Sequence, residues 1–140
     1  MTVEIVPLKR WHLLALDLQP TQAHMRAWIT DAFADAMEAS RACAAMIGGK
    51  PVACAGLTPM PGGYAYAWAL LGFDARRAML AATRACEAVL SRETSEVVTH
   101  VRPDLPANRR WLSVLGFAAT GKCDVLADGM TYELWARRND

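Results

Sequence analysis

The chain has 140 residues, 54% of them hydrophobic and 21% charged, with a formal net charge of +1. That length suits a single domain over residues 1–140 with a genuine core, and the composition is that of an ordinary globular protein. A near-neutral charge without a basic run gives nucleic acid no footing. No apolar run approaches membrane-spanning length, and the N-terminal MTVEIVPLKR lacks the pattern of a secretory leader, so no membrane partner and a cytoplasmic setting are expected. Cys43, Cys54, Cys86 and Cys123 form no C-x-x-C pair and have no histidine at metal-ligand spacing. They read as small buried hydrophobes in a reducing compartment, and no metal site is expected.

In chain order, Val3–Val6 alternates weakly and ends at Pro7, which predicts a short strand. Leu8–Leu18 is apolar enough for a short helix, stopped by Gln19-Pro20. A longer helix is expected from Thr21 to Ser40, because Met25, Trp28, Ile29, Ala32, Phe33, Ala36 and Met37 recur at intervals of three or four. Arg41–Ile47, Pro51–Leu57 and Tyr64–Leu71 then read as strands of an antiparallel meander, divided by Gly48-Gly49-Lys50 and by Pro59–Gly63.

After Gly72-Phe73, Asp74 stands where an N-cap belongs, and Met79, Ala82, Cys86 and Val89 mark a helix ending at Ser91–Glu93. Arg76 and Arg77 lie in its first turn, where the helix dipole disfavours cations unless an anion is near; two solvated arginines are the plainer alternative. Glu96–Val101 has the cleanest strand pattern, and strand-helix-strand order makes it parallel to Tyr64–Leu71. Ala107–Leu115 reads as a short helix closed by Gly116. Phe117–Leu126 and Met130–Arg137 form a hairpin across Ala127-Asp128-Gly129.

Three stretches carry a resemblance: Gly49-Lys50-Pro51-Val52-Ala53, Trp68 to Gly72 with its Leu70-Leu71-Gly72 end, and Asn108 to Phe117 with its terminal Leu-Gly-Phe. Together with the element order, they resemble the GNAT (Gcn5-related N-acetyltransferase) superfamily. In detail they are similar to a short, divergent, phage-encoded group that includes internal virion proteins. The resemblance implies an α/β (α+β) acyl-CoA N-acyltransferase fold, with a mixed, mostly antiparallel sheet, one splayed parallel strand pair and flanking helices. It implies acetyl-CoA as acyl donor and a primary amine as acceptor. Pantetheine would run along the backbone of Leu70, Leu71 and Gly72, the diphosphate would meet Arg76 and Arg77, and Asn108 would approach the pantetheine or the thioester.

The chain departs from the family pattern at three places. No glycine follows Gly72 in the diphosphate loop, Leu112 stands where a tyrosine often protonates the leaving thiolate, and Tyr64–Leu71 carries no carboxylate. A non-catalytic phage or prophage module, with a homodimer or virion partner, is the alternative. His100 is the imidazole placed to act as a base, against the plainer role of a hydrogen-bonded, partly buried histidine. His12 and His24 are expected at the surface or in packing, and Glu38 in solvent. Trp111 and Trp135 are expected to be partly exposed.

Overall fold

A computed structural model describes residues 2–138. The strands are β1 (Val3–Pro7), β2 (Arg41–Ile47), β3 (Lys50–Met60), β4 (Tyr64–Leu71), β5 (Val97–Val101), β6 (Ala118–Val125) and β7 (Thr131–Arg137). The α-helices are α1 (Arg10–Ala15), α2 (Asp31–Glu38), α3 (Met79–Arg92) and α4 (Pro106–Val114), with 3-10 segments at Pro20–Trp28 and Ala75–Ala78. The sheet has seven strands in the order β1-β2-β3-β4-β5-β7-β6. Ala65 lies opposite Val97 and Tyr66 opposite Val98 in a parallel pair, because α3 carries the chain back to the same end of the sheet before β5. The β1–β2, β2–β3, β5–β7 and β6–β7 ladders are antiparallel. This is the mixed, mostly antiparallel architecture expected from the sequence.

The chain packs as two compact units: one holds the residues up to Thr58 with Trp68–Ala88, the other Pro59–Ala67 with the chain from Val89 onward. In the first, Leu8, Leu13, Leu16, Leu18, Ile29, Ala34, Ala44, Met46, Cys54 and Leu70 form one buried cluster. A second joins Ala45, Val52 and Ala53 to Ala75 and Ala78. Alternate residues of β2 thus feed two different clusters, as the period of two requires. Alanine is a poor strand former, but at these positions its small side chain lets the segment Ala75–Ala78 pack directly on β2 and β3.

The helix expected over Thr21–Ser40 is broken in two. Pro20 starts a 3-10 helix that ends at Ile29, whose φ of −85° and ψ of 75° lie outside the helical range. Thr30 then takes an extended conformation, and its hydroxyl accepts the Phe33 N–H at 3.2 Å, capping α2. The apolar stripe is correspondingly split: Ile29 and Ala34 are buried, whereas Ala32 and Ala36 are exposed. The helix expected over Leu8–Leu18 is shorter, Arg10–Ala15, and it starts on a constellation absent from the sequence reading. The Lys9 N–H donates to His12 Nδ1 at 2.9 Å, and the Arg10 N–H donates to Glu38 Oε2 at 2.6 Å. His12 is therefore a buried cap, the packing alternative of its expected roles, and Glu38 is exposed as expected while its carboxylate caps α1. Burial lowers the His12 pKa, against the smaller opposing pull of Glu38.

In the second unit, Val97, Thr99 and Val101 are buried on one face of β5, and Trp135 from β7 lies opposite Thr99. Trp135 is 6% exposed, not partly exposed as expected, while Trp11 and Trp28 of the first unit are exposed at 48% and 45%. Arg137 ties two helix ends together, Nε donating to Leu115 O at 2.9 Å and Nη1 to Leu90 O at 3.0 Å. Gly116 follows α4 at φ +90°, and Phe117 N–H closes onto Leu112 O at 2.9 Å, so the expected C-terminal glycine stop is present. The final hairpin turns through Gly129 at φ +78°.

Burial pushes the Cys54 and Cys86 thiols up to about 12 and raises Cys43, whereas Cys123 is exposed on β6, contrary to the buried role expected for it. At pH 7.5 a thiol reagent should therefore label Cys123 first, with Cys54 and Cys86 following only on unfolding. Peptide mapping after timed labelling checks the order. A Cβ on Gly56 would lie 2.7 Å from Ala42 Cβ, 2.9 Å from Arg41 O and 2.9 Å from Trp68 Cζ2. Gly56→Ala should cost about 1–3 kcal/mol, read as a lower midpoint in urea with unchanged slope.

Candidate active site

The backbone of β4 presents alternate residues to alternate edges. The Ala65 N–H donates to Glu96 O at 2.9 Å, and Ala67 O accepts the Thr99 hydroxyl at 2.8 Å. By the same alternation, Ala69 and Leu71 turn their N–H and C=O groups to that edge. There they meet the chain's own residues Asp17 to Gln22. Gln22 Nε2 donates to Ala69 O at 3.0 Å, and the Leu71 N–H donates to Gln22 Oε1 at 2.7 Å. A carbonyl only accepts and an N–H only donates, so the carboxamide orientation is fixed by its partners. The Gln19 N–H donates to Leu71 O at 2.9 Å and the Phe73 N–H to Asp17 O at 2.7 Å, forming an antiparallel bridge between Leu18 and Gly72.

Gly72 is pinned within this arrangement. Its N–H donates to Val52 O at 2.8 Å, and a Cβ there would sit 2.7 Å from that oxygen and 3.2 Å from Asp17 O. Glycine is required here by close approach of two backbones. Leu70 is buried and Leu71 half-buried.

The turn beyond Gly72 begins as a 3-10 helix, with Asp74 at its N-cap making no side-chain cap bond. The Ala75 N–H turns onto Gly72 O at 3.1 Å and the Arg77 N–H onto Asp74 O at 3.2 Å. The expected α-helix starts only at Met79, because Ala75 and Ala78 are drawn onto the small residues of β2 and β3. Arg76 and Arg77 are both exposed, so the charges available to an anion are side-chain guanidinium groups.

In the second unit, Asn108 is half-buried in the first turn of α4. Leu112, in the place of the family tyrosine, is half-buried on the same helix.

His100 stands between two partners. The Tyr66 hydroxyl lies 2.7 Å from His100 Nδ1, and His100 Nε2 lies 2.8 Å from Asp124 Oδ2. The carboxylate can only accept, so Nε2 carries the proton and Nδ1 accepts from the phenol. Burial raises the Tyr66 pKa, opposed by its bond to His100 and supported by the negative charge of Asp124. His100 was singled out in the sequence, but Asp124 was not. Its pairing depends on β6 reaching the sheet outside β7, with Asp124 opposite Tyr132 and His100 opposite Leu134. No local sequence signal announces that register. Among the described residues, no group of His, Cys, Asp and Glu could hold a metal ion, and no helix is long and apolar enough to cross a membrane.

No family model and no curated protein matches the chain. Solved structures do. Ard1 from Thermoplasma volcanium is 14% identical with a TM-score of 0.76, covering 98% of this chain and 97% of that one. The GNAT-family acetyltransferase from Bacillus anthracis is 11% identical with a TM-score of 0.69, covering 99% and 96%. Aminoglycoside acetyltransferase AAC(6')-Ib, in complex with coenzyme A and kanamycin, is 15% identical with a TM-score of 0.66, covering 98% and 95%. At these identities the likeness is one of architecture: the fold is that of the GNAT acetyltransferases.

Removing the Gln22 carboxamide leaves the Leu71 N–H and Ala69 C=O without their partner. Gln22→Ala should cost about 1–3 kcal/mol. In hydrogen exchange, the Leu71 amide should lose protection, while the Gly72 amide, bonded to Val52 O, keeps its own.

Proposed function

We propose that this protein is an acyltransferase that moves an acetyl group from acetyl-CoA to a primary amine. The observation that carries this reading is the fold, shared over nearly the whole of both chains with acetyltransferases, one of them complexed with coenzyme A and an aminoglycoside. The residues present are compatible with the donor. Exposed Arg76 and Arg77 follow Gly72 and offer two cations to a diphosphate. The edge at Ala69 and Leu71 already pairs with an amide, that of Gln22, so its hydrogen-bonding pattern suits the amides of a pantetheine arm. Such an arm would displace Gln22 and leave the Leu71 N–H as a donor for the acyl oxygen. Bound there, the thioester would supply an activated acyl carbon, and the protein would orient it and hold the protons.

A second reading is favoured by the same edge. With Ala69, Leu71 and Phe73 bonded to Gln22, Gln19 and Asp17, the strand needs no ligand to complete it. A non-catalytic interaction module of phage or prophage type would look like this. The resemblance read in the three sequence stretches is compatible with it.

Thermal unfolding with and without millimolar acetyl-CoA separates the two. A ligand at a hundredfold its Kd adds about 2.7 kcal/mol, several degrees for a domain of this size. The acyltransferase reading expects that shift, smaller in the Arg76→Ala/Arg77→Ala double variant. No shift in the folded wild type, and none in Gln22→Ala, would transfer the assignment to the interaction module.

A further inference from the structure

We propose that Tyr66, His100 and Asp124 form a proton relay, with the Tyr66 oxygen as the atom that meets the acceptor amine. The proposal rests on the acyl-transfer reading and adds to it the base that the central strand otherwise lacks. All three side chains belong to the second unit and share one face of its strands, because Asp124 is opposite Tyr132 and His100 is opposite Leu134. Helix α4 is on the other face, where the Arg109 guanidinium reaches Glu133 at 3.4 Å and lies 5.9 Å from the Trp135 ring centre. The relay face of this unit is therefore the one that its own helix α4 leaves uncovered.

Burial is graded along the array. The His100 side chain is 15% exposed and that of Asp124 is 52% exposed. The carboxylate end is wet, and the phenol end lies on the central strand, three residues before Ala69. With Nε2–H held by Asp124, Nδ1 is free to take the phenol proton. The Tyr66 oxygen can then accept another from outside. In the protonated state Nδ1 donates, and the phenol O–H turns outward as an acid. The same three groups thus serve both halves of one transfer.

The balance is as follows. The amine nitrogen forms its bond to the acyl carbon, the C–S bond breaks, and sulfur leaves with the electron pair. One N–H proton passes to Tyr66 Oη as the phenol proton moves to His100 Nδ1, and Asp124 stabilises the imidazolium. The reverse shift delivers a proton to the thiolate. The relay ends as it began, with amide and thiol as products.

Tyr66 is the catalytic residue in this assignment, and His100 and Asp124 act through it. Among the described residues, the titratable groups of this unit on the relay face are Tyr64 and Tyr66 from β4, Asp124 from β6 and Tyr132 from β7, with Glu96 and Arg138, paired at 3.0 Å, at the strand ends. Tyr132 is engaged by Asp128 at 2.6 Å, and Arg102, at the end of β5, is paired with Asp104 at 2.7 Å. Of these, Asp124 is the carboxylate in contact with His100.

The test is steady-state acetyl transfer to an amine panel by wild type, Tyr66→Phe, His100→Gln and Asp124→Asn, each first shown to be folded by thermal unfolding. Tyr66→Phe and His100→Gln should lower kcat by roughly 10²–10⁴-fold with KM nearly unchanged. Asp124→Asn should lower kcat less, again with KM nearly unchanged. Imidazole nitrogen NMR of the wild type should find the proton of neutral His100 on Nε2. Wild-type kcat in folded Tyr66→Phe would overturn the relay while leaving acyl transfer intact, as would a proton on Nδ1. A wild type that binds no acetyl-CoA and turns over no amine would overturn both the function and the relay.

Discussion

A strand in mid-sheet cannot leave a buried N–H or C=O without a partner, and β4 meets this constraint differently along its length. At Ala65 and Ala67 the partners come from Glu96 and Thr99. At Ala69, Leu71 and Phe73 they come from Gln22, Gln19 and Asp17. Each unmet group would cost about 1–3 kcal/mol, so the segment after α1 cannot move away without something replacing it. The break between α1 and the 3-10 helix Pro20–Trp28 has the same origin. Residues 17–19 must be extended to pair with β4, and Pro20 then restarts the helix in a register that points Gln22 at the strand. Arg26 secures this corner by donating to Leu13 O and Leu16 O.

Small side chains are the second constraint. Ala45 on β2 and Ala53 on β3 weaken the intrinsic strand preference of those runs, yet they leave room for Ala75 and Ala78 to lie against the sheet. That close approach sets where the chain goes after Gly72. It tightens the first turn into a 3-10 helix, which turns its amides onto Gly72 O and Asp74 O. Arg76 and Arg77 are left outward, as the residues whose charge remains available.

Much of this architecture is legible in the residues. The runs of β2, β4 and β5, the Gly116 stop and the Asp128-Gly129 turn are local signals, and the parallel pair follows from strand-helix-strand order. Other parts depend on partners distant in sequence. Nothing in the helical spacing of residues 21–40 reveals that Thr30 caps a new helix, since Met25, Ile29 and Phe33 still fall at the expected intervals. Glu38 looks like a surface residue with no task until α1 and α2 come together and its carboxylate meets the Arg10 N–H. Trp135 is buried because β7 lies between β5 and β6, a placement that no local pattern announces. The candidate site shares this division: Leu70, Leu71, Gly72, Arg76, Arg77 and Asn108 stand on recognisable motifs, whereas Gln22 and Asp124 come from elements without motif signals.

Fold and chemistry therefore draw on different evidence. Identities of 11–15% with acetyltransferases carry the architecture, and chemistry must come from particular side chains. Leu112 cannot move a proton, and β4 offers no carboxylate. The proton-carrying groups on the relay face are a phenol, an imidazole and a half-exposed carboxylate bonded in series.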